Sequence, residues 1–278
     1  MTTKYFTVEI RPTMKVVNAG LNAAFADGDI LWNWETFFMP RGGGRLIGAH
    51  VEIRPKGDSG ATPNKFPLEL LFATDNYSHP NYPGTEATWA YSLGTINAAP
   101  STFAEGISGV AHKFLGQVPI VAGDFADSID PIAIASTSDT NGIVLQQSYT
   151  DMSLSGFSNI YKKQKGGFEP SEGYTKFRIA GIAGGAFDFR SACIINGGDL
   201  DGPVMTTSGT QPQLFIIPGD TVAVCVADDP TTTKAMGVVE STTDTSITLT
   251  EAFTTTDVAN NDIVYNTQPI RILLTFER

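Results

Sequence analysis

Polar and apolar side chains alternate along residues 3–11. Tyr5, Thr7 and Glu9 fall on one face and Phe6, Val8 and Ile10 on the other, the period of a half-buried strand. Asp27-Gly28-Asp29 is a turn signal leading into Ile30 to Trp34, and Thr36 to Met39 continues until Pro40 stops it. Further strand signals cover Leu46 to Arg54, Leu68 to Thr74, Gly109 to Val121 and Ile129 to Ala135, then Ile143 to Gln147 after the Asn141-Gly142 turn. Phe177 to Ala183 and Phe187 to Ile195 are expected to pair around Gly184-Gly185, and Ser155 to Glu172 reads as a loop.

The C-terminal part repeats one device: a turn carrying Asp, then a short apolar strand. Leu214 to Ile217 leads through Pro218-Gly219-Asp220 into Thr221 to Val226. Met236 to Glu240, Ile247 to Thr250, Ile263 to Tyr265 and a final strand, Ile270 to Phe276, follow. The only helical candidates are Val17 to Phe25 and Ser101 to Glu105, both without caps. Short strands at fairly even spacing imply an all-β protein. The expectation is a β-sandwich over residues 1–211, for which a jelly roll is one of the open forms, rejoined by a last strand at 269–278. A small β-barrel or hairpin module would occupy residues 212–268.

One pentapeptide occurs twice: Val-Glu-Ile-Arg-Pro at Val8 to Pro12 and at Val51 to Pro55. The spacing is not that of a solenoid or propeller. It reads as one way of ending a strand used twice, with a Glu/Arg pair outward and Pro ending the pairing.

Composition sharpens the picture. Of 278 residues only 17% are charged, and the polar remainder is mostly Thr, Ser, Asn and Gly, which suits pleated surfaces better than exposed helix faces. A formal charge of -11 argues against sequence-independent nucleic-acid binding and against an anionic membrane surface, and fits a basic protein partner. No apolar run approaches a membrane span, and Met1 to Thr7 lacks the apolar core of a signal peptide, so synthesis in the cytoplasm without export is expected. Cys193 and Cys225 each sit in an apolar run and read as buried thiols, with one disulfide as the other reading.

Candidate chemistry is sparse, and no enzyme is expected. His50, His79 and His112 form no metal-binding or catalytic spacing, and no nucleophile elbow accompanies them. Asp199 and Asp201 resemble a fragment of a calcium loop without its later Glu; Asp124, Asp127 and Asp130 read as solvated acids. No metal or other cofactor is expected. Glu35, between Trp34 and Thr36, is the best single acid for sugar chemistry, but Trp32 and Trp34, expected on one strand face, read as core or interface. Two loops are the candidate contact surfaces. One is Arg41, Gly42, Gly43, Gly44 and Arg45; the other carries Tyr77, Tyr82, Trp89 and Tyr91 between prolines and glycines.

Gly219 to Asn266 contains a Gly-Asp-Thr-Val-Ala-Val opening, a Thr-rich hairpin from Gly237 to Phe253 and an Asn-Asp-Ile-Val-Tyr-Asn close. This segment resembles small β-barrel modules of bacteriophage structural proteins, and the last strand is similar to those of phage head and tail proteins, decoration proteins included. The resemblance covers about a fifth of the chain and brings no catalytic residue. It implies a virion protein, as a capsid decoration or cement protein packed on the major capsid protein, as a homotrimer. The alternative is a receptor- or carbohydrate-binding module of a tail or fibre.

Overall fold

The computed structural model describes residues 5–16, 20–40, 43–74, 78–79, 82–83, 91–101, 110–111, 113–126, 130–145, 174–198, 202–227, 232–253 and 258–278. Its sandwich is built from two sheets. The first contains β1 (Tyr5–Ile10), β3 (Gly44–Ile53), β8 (Ala133–Thr137), β9 (Val144–Leu145) and β17 (Ile270–Glu277), in the order β1-β17-β3-β8, with β9 also on β3. The second has β2 (Ile30–Pro40), β4 (Leu68–Thr74), β7 (Phe114–Ile120) and β10 (Tyr174–Ala183), in the order β2-β10-β4-β7. A separate pair joins β5 (Ser78–His79) to β6 (Tyr82–Pro83).

Leave out the short β9, and the eight principal strands, counted along the chain, lie in the orders 1-8-3-6 and 2-7-4-5. That is jelly-roll topology. Except for the step from β4 to β7, successive principal strands cross from sheet to sheet, and each presents apolar residues to the space between the sheets. β17 does so strictly: Ile270, Ile272, Leu274 and Phe276 are fully buried and the residues between them are not. Its partners keep the register from Tyr5↔Glu277 to Ile10↔Ile272, and Phe6 stacks on Phe276 at 5.3 Å between ring centroids.

Between β10 and β17 the chain builds a closed six-stranded antiparallel barrel. Its strands are β11 (Ile194–Gly198), β12 (Val204–Ser208), β13 (Thr221–Cys225), β14 (Thr233–Thr242), β15 (Ser246–Leu249) and β16 (Ile263–Asn266). Around the barrel they run β11-β12-β15-β14-β13-β16. The barrel thus takes in two strands N-terminal to residue 212, where the sequence pattern suggested a module would start. Its own core includes Cys193, Ile195, Met205, Val222, Val224 and Ile247.

Several local expectations differ from the structure, among them the strand expected from Gly109, which begins only at Phe114. Phe187 to Ile195 does not pair with β10, whose edges are already taken by β2 and β4; Gly184 and Gly185 pack against Pro67 and Phe66, and the chain leaves for the barrel. Leu214 to Ile217 is not a strand, because Pro212 starts a tight 3-10 turn there. Residues 20–25 form turns, with Leu21 and Phe25 buried, where a helix was expected to reach Phe25. No helix among the described residues is long and apolar enough to cross a membrane.

Candidate functional site

The doubled pentapeptide marks a densely paired polar region among the described residues. Its two copies end β1 and β3, which lie on either side of β17, so Glu9 and Glu52 flank Arg271. The Arg271 guanidinium bridges both, reaching Glu9 Oε2 at 2.9 Å and Glu52 Oε1 at 3.0 Å. Hydrogen bonds from Arg271 and from Arg11, whose Nε lies 2.7 Å from Glu9 Oε1, hold the Glu9 carboxyl down at about 2. His50 closes the row, with Nδ1 2.8 Å from Ser136 Oγ and Nε2 3.5 Å from Glu52.

Beyond the strand ends, the arginines of both copies turn to one acid on the barrel. Asp220 is 1% exposed and Arg54 3%, so this contact is out of water. Arg11 Nη1 lies 3.3 Å from Asp220 Oδ1 and Arg54 Nε 3.7 Å from Oδ2. Asn266 Nδ2 at 2.8 Å and the Ile217 amide at 3.1 Å also donate to Oδ2. Burial pushes the Asp220 carboxyl above its ordinary range, against the pull of Arg54; burial likewise lowers Arg54. The turn that aims Asp220 needs Gly219 at φ +88°, left-handed backbone that favours glycine. Ions removed from water are retained only when paired, and here two guanidiniums flank one carboxylate that accepts from the Ile217 amide and the Asn266 side chain, while Arg54 Nε is held by charge without a hydrogen bond. The result is an ionic joint between sandwich and barrel.

Apolar contacts and backbone bonds complete the joint. Ala223 and Cys225 of β13 and Tyr265 of β16 face out of the barrel into the main sandwich core. The Gly57 carbonyl accepts from the Ala192 amide at 2.7 Å and from Thr210 Oγ1 at 3.0 Å, and the Met14 amide donates to the Thr267 carbonyl at 2.7 Å. Buried Asn64 ties the Arg54 and Asp188 carbonyls together, donating to them at 2.9 and 3.0 Å.

The loop residues chosen from sequence are placed unevenly. Arg41 and Gly42 lie outside the described residues. Gly43 and Gly44 are buried, and Gly44 is paired with Leu145 in the ladder, so neither glycine is part of an exposed contact loop. Arg45 is exposed and its Nε lies 3.1 Å from Glu277 Oε2. Tyr77 and Trp89 fall outside the described residues, and Tyr82 opens β6. Tyr91 packs with Ile30, Trp34, Leu71 and Leu93 on the outer face of the second sheet, its ring 5.2 Å from Lys113 Nζ. Asn33 pins that segment, accepting from the Leu93 amide at 2.7 Å and donating to the Gly94 carbonyl at 2.9 Å.

Trp32 and Trp34 do not share a face. An extra residue of β2 between the pairs Glu35↔Ile179 and Trp32↔Gly181 makes a bulge, which turns Trp32 into the sandwich core and leaves Trp34 in the outer layer. Gly181 is required opposite, because a Cβ there would run into the Trp32 ring. Both indoles are buried, so they offer no stacking platform for a sugar.

Glu35 is placed differently. Residues 35–38 of β2 and 8–11 at the end of β1 line an open cleft of about 270 Å³ between the edges of the two sheets. Glu35 shares its strand face with core Phe37, and burial raises its pKa, partly countered by the charge of Arg178. Among the described residues no hydrogen bond or ion pair reaches its carboxylate. Among the described residues, too, no three His, Cys, Asp or Glu side chains converge to hold a metal. Asp124 accepts from the Val121 amide at 2.9 Å and Asp130 pairs with Lys65 at 3.0 Å; Asp127, Asp199, Asp201 and His112 lie outside the described residues. Cys193 and Cys225 are buried free thiols, and burial raises both, Cys193 to about 12.

No family model matches this sequence, and no curated protein matches it.

Proposed function

We propose that the chain is a structural protein of a virion, a decoration or cement protein that packs on the major capsid protein of a phage head and stabilises it. The observation that carries this reading is the jelly-roll sandwich with a barrel fixed on it through a buried ionic joint. Sandwiches of this topology recur in viral capsid proteins, and the support is therefore at the level of fold. A sandwich with a barrel joined to it is suited to packing on capsomers, where buried anchors and shape supply the energy. The charge of -11 favours a basic partner surface.

Cryo-electron microscopy of purified particles, with the protein tagged in its barrel, tests the reading. Density at regular positions on the head, together with heads that release DNA at lower temperature when the gene is deleted, is the expected result. Density on a tail or fibre would give the role to receptor or glycan binding, and absence from particles would end the virion reading.

A further inference from the structure

The sandwich has one side where both sheets end together. β1 is the edge of the first sheet and β2 the edge of the second, and no described strand pairs with the outer side of either. Edge strands present unpaired N–H and C=O groups to any extended chain that approaches, and inward-pointing charge is one way to block non-specific pairing. The cleft of about 270 Å³ opens between these two edges.

Its charges are not equivalent. Glu9 is engaged twice, by Arg11 and Arg271, and Arg11 is itself shared between Glu9 and Asp220. Glu35 is left over. It faces the opposite sheet, half-buried, with no bonded partner among the described residues and only the more distant influence of Arg178, one position away from its cross-strand neighbour Ile179. A half-buried carboxylate without a bonded cation is an unfavourable arrangement that a directly paired cation would relieve. The protein carries an excess of eleven negative charges, so a second copy of itself is electrostatically disfavoured as the source of that cation.

We propose that this cleft receives a lysine or arginine of an extended, basic segment from a partner protein, which pairs along the β1 or β2 edge and seats its cation on Glu35. The inference rests on the reading of the chain as a component of a larger assembly and names the chemistry of the contact. Main-chain pairing along an edge supplies affinity, and the side chain entering the cleft supplies register. Val8, Ile10 and Phe38 provide the apolar walls for the stem of such a side chain, leaving its charged end to reach Glu35.

The test uses the full chain and a capped heptapeptide of alternating lysine and valine, followed by amide chemical shifts and calorimetry. Expected are saturable binding, shifts confined to residues 6–11 and 34–39, and no binding of the glutamate–valine counterpart. Glu35→Gln, which keeps the shape, should weaken binding by about ten-fold, equivalent to about 1.4 kcal/mol. Glu240→Gln, which removes an exposed carboxylate from the barrel, should leave it unchanged. Absence of binding to the wild-type chain, equal binding by Glu35→Gln, or shifts centred elsewhere would overturn the proposal. If the peptide fails while the protein still decorates heads, the cleft assignment falls and the virion reading stands. If the peptide binds and the protein is absent from particles, the reverse holds.

Discussion

In the sandwich β1 pairs with β17 and β2 with β10, partners separated by most of the chain, and no two principal strands of one sheet are joined by a tight turn. In the barrel β11–β12, β13–β14 and β14–β15 are each consecutive strands, and the sheet closes on itself with no edge left. The open unit therefore has edges that can meet a partner, and the closed unit does not. The two are coupled by apolar contacts, backbone bonds and a small number of buried polar groups, and the polar part of that coupling can be changed separately from either unit.

The largest effect is expected at the joint. Asp220→Ala takes from buried Arg54 its nearest anion, leaving only the charge of Glu52, and removes the acceptor for Asn266 and the Ile217 amide, at a cost of about 3–5 kcal/mol. Urea denaturation should show it, and a double variant with Arg54→Met should recover part of the loss. Equal losses that simply add would mean that the two residues do not act together.

A smaller loss should be confined to the sandwich. Gly181→Ala drives a methyl group into the Trp32 ring, and overpacking of this kind costs about 1–3 kcal/mol. Tryptophan fluorescence should change while barrel amides keep their hydrogen-exchange protection; loss of protection in both units would show that they unfold as one.

The two thiols report on the two units. Both have raised pKa values and are buried, so neither should react at pH 8 in the folded protein. Cys193 is inside the barrel and Cys225 faces the sandwich across the joint. In Asp220→Ala, Cys225 labelling should accelerate on the order of ten-fold while Cys193 keeps its rate. The opposite order would place the weak point inside the barrel.

The smallest effects are electrostatic and lie at the open edge. Glu9 is depressed to about 2 when folded, so its contribution is present above its ordinary 4.5 and is lost as pH falls through about 2. Glu35 is raised, so the folded chain holds its proton more tightly, and stability is lost as pH rises from 4.5 through the folded value. Glu9→Gln should thus destabilise at pH 7 and Glu35→Gln should stabilise, each by about 0.5 kcal/mol after solvent screening. Both differences should fade in acid, that of Glu35→Gln below 4.5 and that of Glu9→Gln nearer 2. Midpoints measured at pH 3, 5 and 7 check the signs.

The local strands were largely readable in the sequence, because alternation and turn chemistry are short-range signals. β1, β13 with its Gly219-Asp220 turn, and β17 all lie where the pattern placed them. Pairing was harder to read. Nothing in Phe187 to Ile195 signals that β10 already has two neighbours, and nothing near Ile194 and Val204 distinguishes barrel strands from sandwich strands. Trp32 and Trp34 were assigned to one face because a bulge depends on the partner strand and leaves no periodic trace. The ionic joint had a visible signal in the repeated Val-Glu-Ile-Arg-Pro, but its acid, Asp220, is more than 160 residues from the second copy. The neighbouring tryptophans single out Glu35 in the sequence, whereas its place beside a sheet edge depends on the pairing of distant strands.

The position of β17 has a consequence for how the molecule is made. It is an inner strand of its sheet, lying between β1 and β3, yet it is synthesised after the whole barrel. Residues 184–269 take roughly 4–17 s to emerge at ~5–20 residues per second. For that interval the nascent sandwich has a gap where β17 belongs, with apolar Ile10, Leu46 and Val51 lacking their cover, while the barrel can close on its own hairpins. The last strand then completes the sheet around an already formed barrel, so a newly made chain is vulnerable to another molecule's β17 until its own arrives.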